Sequence, residues 1–417
     1  MTEMESTLPL FAGYGIELEY MIVDRDHHNV LPVTDEVLKV IAGEYVNDVE
    51  EGPIAWSNEL VLHVIELKTN GPAGSLDILP DQFLSSIYQV NTILSDLNGH
   101  LMPTAMHPWM DPYQETRLWP HEASEIYDTY NRIFNCQGHG WSNLQSMHVN
   151  LPFADDYEFA LLHAAIRALL PIMPALAASS PIMNSEYTGL LDSRLETYRR
   201  NAERIPSITG SVIPEPVNSN QDYQNRILQP MYADIAPHDP DKVLQHEWLN
   251  SRGAIARFDR NAIEIRVLDT QETPQADIAI AALIISILKK LVATSWSDVN
   301  QQNNLDTHAL TDIFLTTIKE GELAVIKNKS YLELFEFPDR RGQVQELWQH
   351  LLESTAGNDS DLNPELKKTV QYIIKCGPLA RRIKLAIGNE VKRPRMEETY
   401  RRLCECLANG QLFESID

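Results

Sequence analysis

The sequence predicts an α+β fold, an antiparallel or mixed sheet with helices on one face. Three observations carry this. Short strands with alternating polarity cluster before residue 151 and return once near residue 265. No regular β–α–β repeat joins them, as a doubly wound sheet would require. From residue 305 onward the pattern is mostly helical. The expected organisation is a catalytic region over residues 1–300 and a helical C-terminal portion, 301–417, of the same unit.

In chain order, residues 14–23 (YGIELEYMIV) alternate as a half-buried strand does. Residues 34–42 read as a helix with Thr34 as candidate N-cap. Residues 59–68 (ELVLHVIELK) read as a strand that Pro72 ends. Leu79, Phe83, Ile87, Val90 and Leu94 recur at helical spacing within 76–98. A short strand is expected over 100–106, a helix over 123–134 and a strand over 144–151 (LQSMHVNL). Residues 156–179 form a helix broken near Pro171 and Pro174. Residues 184–260, rich in Pro, Asn and Arg, read largely as loops. Residues 262–269 (AIEIRVLD) are a strand, and 275–295 a long buried helix.

Composition narrows the class. With 43% hydrophobic and 22% charged residues over 417 positions, the chain is built to fold around a core. Its net charge of −25 argues against nucleic-acid binding, which needs basic patches. The longest apolar stretches, 159–183 and 276–293, are interrupted by charge or proline and fall short of the roughly 18 apolar residues of a membrane span. The start, MTEMESTLPLF, lacks a signal-peptide pattern, so a cytoplasmic protein is expected. Cys136, Cys376, Cys404 and Cys406 show no zinc spacing and read as reduced structural thiols. No heptad seam is present, which leaves a homo-oligomer open.

No P-loop, GxGxxG, HExxH or GxSxG motif occurs. What remains is a set of carboxylates on strands. Glu17 and Glu19 share one strand face, opposite Ile16, Leu18 and Tyr20. The bland alternative is a pair of solvated glutamates. Glu59 and Glu66 are seven apart, an odd spacing that splits them between faces unless a bulge intervenes or Glu59 precedes the strand. Glu66, inside LHVIELKT, is costly to bury without a partner. His148 and Asn150 share a face, as do Glu264 and Arg266, whose bland reading is a cross-strand ion pair. Arg257 lies upstream on a loop, and Arg194, Arg199 and Arg200 form a basic cluster. Hard oxygen donors suit Mg²⁺ or Mn²⁺. Carboxylates, such an ion and arginines together are what phosphoryl transfer from ATP requires.

These segments resemble the type-2 glutamate–cysteine ligases and related carboxylate–amine ligases. GIELEY resembles the family's GxELE strand, and NELVLHVIELKT its E-L-L-x-x-x-x-E-x-x-T pattern. His107-Pro108 resembles a T-H-P segment with Met106 in place of threonine. MHVNLPF stands where the family often has H-V-H-V-G, with Asn150 near the second histidine's place, closer to the H-x-N of the gamma-proteobacterial enzymes. ALAASSPIM with Ser193-Arg194, RFDRNAIEIRVLDTQ, GPLARRI and YRRLCECLANGQLF are similar to further family segments, in order, from about residue 13 to 413.

The resemblance implies a glutamine-synthetase-like (guanidino-kinase-like) fold, a curved antiparallel sheet with helices on its outer face and ATP and metals on the concave one. It implies that ATP phosphorylates a carboxylate, glutamate's γ-carboxylate in the first instance, and that an amine then attacks. Glu17, Glu19, Glu59, Glu66, His148 and Glu264 become the metal set, for about two Mg²⁺ ions with Mn²⁺ as substitute. Arg257 and Arg266, with His148 and Asn150, become the nucleotide contacts. Arg194 becomes the residue that holds a substrate carboxylate or the transferring phosphoryl group. The partners implied are small molecules, an amino-acid carboxylate and an amine. Two other readings stand beside this one. An inactive or regulatory relative is kept open by the single histidine and by Asn261-Ala262 at the family's Gly-Thr pair. A metal-dependent amide hydrolase would use a similar cluster but would not need Arg257 or Arg266 for phosphate.

Overall fold

The structure, a computed structural model, describes residues 7–355 and 362–415. Its centre is an eight-stranded sheet: β1 (Gly15–Asp24), β2 (Asp48–Glu51), β3 (Ile54–Asn58), β4 (Val64–Thr69), β5 (Gly99–Met102), β6 (Ser146–Pro152), β7 (Ala254–Arg257) and β8 (Ala262–Asp269). The order is β2-β3-β4-β1-β6-β8-β7, every pairing is antiparallel, and β5 pairs with the second half of β1. This is the expected α+β class.

The alternation in β1 explains the layering. Ile16, Leu18, Tyr20 and Ile22 are fully buried on one face, which joins the main hydrophobic core. Among the helices that build that core are α1 (Thr34–Ala42), α2 (Leu79–Asp96), α3 (Asp156–Leu169) and α4 (Pro274–Val292). Helix α4 is apolar around most of its circumference and is accordingly an inner helix. It packs against α2, α3 and α5 (Pro364–Cys376). The C-terminal portion continues with α6 (Leu379–Ile387) and α7 (Arg393–Asn409), and α7 packs on β5 and α2. Among the described residues no helix is long and apolar enough to cross a membrane.

Two expectations need correction. The strand drawn over 59–68 begins only at Val64; residues 59–63 are a packed turn in which Val61 bridges Leu118. The stretch 184–260 is irregular over more than half of its length, as expected, but not throughout. It holds the helix Ser193–Tyr198, helical turns through Asn220–Ile235 and strand β7. Arg257, expected on a loop, therefore ends β7 and pairs with Ala262 of β8.

A fully buried ion pair ties the C-terminal portion to the sheet. Arg382 of α6 donates to Glu272, just after β8, and to the carbonyl of Phe413. Glu272 also accepts from the Phe413 backbone N–H. Removing one partner of such a pair leaves an uncompensated buried charge. Arg382→Met is expected to destabilise the protein by roughly 3–5 kcal/mol in denaturant unfolding, and adding Glu272→Gln should recover part of the loss. An unchanged midpoint in the single variant would show that the pair does not join the two portions.

Candidate active site

The polar face of the sheet collects the chemistry, because directly opposed residues in antiparallel strands share a face. Glu19 opposes Glu66, which in turn opposes Ser57 of β3. Glu17 lies between Lys68 of β4 and His148 of β6. Asn150 opposes Glu264. The strands come this close at Gly15, where a Cβ would stand 2.9 Å from that of Asn150. Glu59 enters from the turn before β4, which answers the odd spacing: it precedes the strand.

Hydrogen bonds hold this array in register. His148 Nδ1 lies 2.9 Å from Glu17 Oε2, and its Nε2 lies 2.9 Å from Ser146 Oγ. Asn150 Nδ2 donates to Glu17 Oε1 at 3.1 Å. Glu19 Oε2 accepts from the Ser146 N–H at 2.6 Å and from its hydroxyl at 3.0 Å. Glu66 Oε1 accepts from Ser57 Oγ at 2.7 Å and from Lys68 Nζ at 2.8 Å.

The arginines sit at the β8 end. The β6–β8 register shifts between Ile265 and Leu268, so Arg266 lies in a bulge, a device that re-aims a side chain. Its Nε is 3.0 Å from Glu264 Oε1 without meeting hydrogen-bond geometry. Arg257 Nη1 is 3.8 Å from Glu264 Oε2, and Arg257 also pairs with Asp259. Arg194 is placed differently. It is 1% exposed, its Nε donates to Asp269 and its Nη2 to the carbonyl of Arg266. Asp269 also accepts from the Ser179 N–H and the Ser180 hydroxyl. Arg194 thus anchors the strand end that presents Arg266.

Burial would by itself lower the basicity of His148, but the Glu17 hydrogen bond and the charges of Glu19, Glu264 and Glu17 push it up to about 9. Burial is the largest influence on Glu17 and raises it, but the hydrogen bond to His148 and the charges of His148 and Lys68 together outweigh it, leaving that carboxyl below its ordinary range. Burial, with Glu66 nearby, raises Glu19 despite His148 and Ser146. Glu59 is driven well above the carboxylate range by burial and then by Glu19 and Glu66. Its carboxylate meets only the Leu60 N–H, at 3.4 Å, among the hydrogen bonds described.

Two glutamates held against their own repulsion are a test for a metal, and the donor set passes it. Ligand atoms of Glu17, His148 and Glu264 lie within 4.8 Å of one another, as do those of Glu19, Glu66 and His148. Oxygen-dominated sets of this kind fit Mg²⁺ or Mn²⁺. Five of the six residues expected as metal ligands, Glu17, Glu19, Glu66, His148 and Glu264, fall in these two groups, with Asn150, Arg257 and Arg266 beside them; Glu59 stands outside both groups, though near enough to feel the charges of Glu19 and Glu66. Lys68, Ser57 and Ser146 were missed. Lys68 stands two residues after Glu66 and so shares its face, a period-two signal that would have found it.

Residues 14–317, well over half of the chain, match the glutamate–cysteine ligase family 2. The chain belongs to that family. An uncharacterized protein of Archaeoglobus fulgidus is 38% identical over 276 residues, covering 66% of this chain and 73% of the other. Among solved structures, the glutamate–cysteine ligase of Francisella tularensis in complex with AMP has a TM-score of 0.58 at 15% identity. That likeness covers 94% of this chain and 88% of that one. The ligase PafA in complex with the prokaryotic ubiquitin-like protein Pup has a TM-score of 0.51 at 12% identity, covering 99% and 78%. At these identities the structural likeness concerns the fold, which is the glutamine-synthetase-like sheet of this ligase family.

Proposed function

We propose that this protein is an ATP-dependent carboxylate–amine ligase that forms an amide through an acyl phosphate, with glutamate's γ-carboxylate as first-choice donor. The observation that carries the reading is the row of four glutamates on one sheet face, with Glu59 entering from the turn before β4 and Arg257 and Arg266 at the row's end. A hydrolase would have no use for those arginines, whereas planar guanidinium groups suit phosphate oxygens.

Mg²⁺ or Mn²⁺ held by Glu17, Glu19, Glu59, Glu66 and Glu264, with His148 as a nitrogen donor better suited to Mn²⁺, would neutralise phosphate charge. The protein's own groups do the rest. Arg266 and Arg257 hold the phosphate oxygens, and Arg194 acts by fixing Arg266 through Asp269 and its carbonyl. His148 and Asn150 hold Glu17 in one orientation while they border the nucleotide. Lys68 holds Glu66. The substrate carboxylate oxygen attacks the γ-phosphorus and ADP leaves. The amine nitrogen then attacks the acyl carbon, phosphate leaves, and the amine's proton passes to solvent. No protein nucleophile is needed, so catalysis is positioning and charge neutralisation.

The test is ADP and phosphate release from purified protein with Mg-ATP, glutamate and a panel of amines that includes cysteine. Amine-stimulated release is the expected result. Bound ATP with no release for any amine would contradict the reading, and amide cleavage without ATP would replace it with the hydrolase.

A further inference from the structure

Three side chains from separate stretches of sequence meet near the far end of β1. They are His28 in the loop after that strand, His100 on β5 and Cys404 on α7. One potential ligand atom of each lies within 4.8 Å of the others. The two imidazole rings are 5.0 Å apart and inclined at 45°. Each ring carries a buried Nε2 with no hydrogen-bond partner. Leaving such a nitrogen unsatisfied costs stability. Two of them beside one buried thiol make a nitrogen–nitrogen–sulfur donor set. His28 is 6% and Cys404 5% exposed, and His100 is half-buried with its Nε2 inside.

We propose that His28, His100 and Cys404 bind one Zn²⁺ ion, which ties the β1–α1 loop and strand β5 to helix α7. The donor chemistry separates this site from the carboxylate cluster. Imidazole and thiolate select zinc, whereas Mg²⁺ takes oxygen. Ligands around a tetrahedral zinc stand about 3.5 Å apart, so groups that lie within 4.8 Å of one another need to close by at most about 1.3 Å. A water completes the coordination. Both imidazoles are ligand-ready: burial lowers their basicity, with His100 down to about 4, so both are neutral at pH 7. Burial raises the Cys404 thiol, so binding releases its proton as the zinc–sulfur bond forms. Cys404 and Cys406 lie two apart on a helix and point apart, which leaves Cys406 as an internal control.

The experiment uses chelator-treated full-length protein in saturating Mg²⁺, titrated first with Co²⁺ and then with Zn²⁺. The expected result is one equivalent of Co²⁺ with a thiolate-to-cobalt absorption band that Zn²⁺ abolishes, together with a raised thermal midpoint. Cys404→Ser should lose the band, and His28→Asn should weaken Zn²⁺ at least about 10-fold. Asparagine is chosen because His28 has φ 55°, a conformation asparagine tolerates. Cys406→Ser should keep both the band and the affinity. Absence of the band in the parent protein, or its persistence in Cys404→Ser, overturns the proposal. If Cys404→Ser fails to fold, the parent spectrum and His28→Asn decide it.

Discussion

Glu59→Gln lowers turnover by at least about 100-fold and leaves the metal-free protein as stable as its parent or more stable. The two effects have opposite signs for one reason. In the folded protein the Glu59 carboxylate lies near Glu19 and Glu66, and the charges of His148 and Lys68 offset only part of that repulsion, whereas Glu66 bonds Lys68 directly and Glu264 pairs with arginine. An amide of the same shape removes one negative charge from that crowd, so folding loses nothing. The same change removes a hard anionic donor from the set that would hold the metal phosphate, and there the loss falls on catalysis. Thermal melting in chelator and steady-state rates in Mg²⁺ read the two separately. A variant that melts well below the parent would make Glu59 a structural residue, and unchanged turnover would remove it from the metal set.

Arg266→Ala raises the apparent KM for ATP or lowers kcat, with kcat/KM down by at least about 100-fold. Arg266 is the arginine that the β8 bulge aims, and its carbonyl is held by Arg194. Its Nη1 makes only a long hydrogen bond, 3.3 Å, to the carbonyl of Asn250. Arg266→Lys keeps the charge beside Glu264 but loses the planar fork, so it should restore stability without restoring rate. If both variants alter only the melting temperature, Arg266 is the ion-pair partner of Glu264 and nothing more.

Much of this site was legible because period-two alternation marks a strand with one buried face. β1, β6 and β8 each alternate, and the polar members of each strand proved to share the site face. Helix α4 was legible for the opposite reason, since a helix that is apolar around most of its circumference must be internal. The β2–β3 hairpin was not legible. Ile54, Ala55, Trp56 and Ser57 of β3 are all buried, so its sequence carries no alternation to read. Residues 59–63 misled in the other direction. Val61 and His63 are buried in a turn packed inside the protein, and apolarity alone does not distinguish that from a strand. Arg194 shows the limit for function. The pattern marks it as an important arginine, but only its contact with Asp269, 75 residues away, shows that it works from behind the site. The His28, His100 and Cys404 cluster and the Glu272–Arg382 pair have no local signature at all. Their members meet only through the packing of α6 and α7 on the rest of the protein.

The most direct measurement follows an oxygen atom. Glutamate labelled with ¹⁸O in its γ-carboxylate is incubated with Mg-ATP and an amine that stimulates ADP release, and the inorganic phosphate is analysed by mass. Activation through an acyl phosphate requires one labelled oxygen in the phosphate for each amide formed. Unlabelled phosphate, or label recovered in AMP instead, would contradict the account.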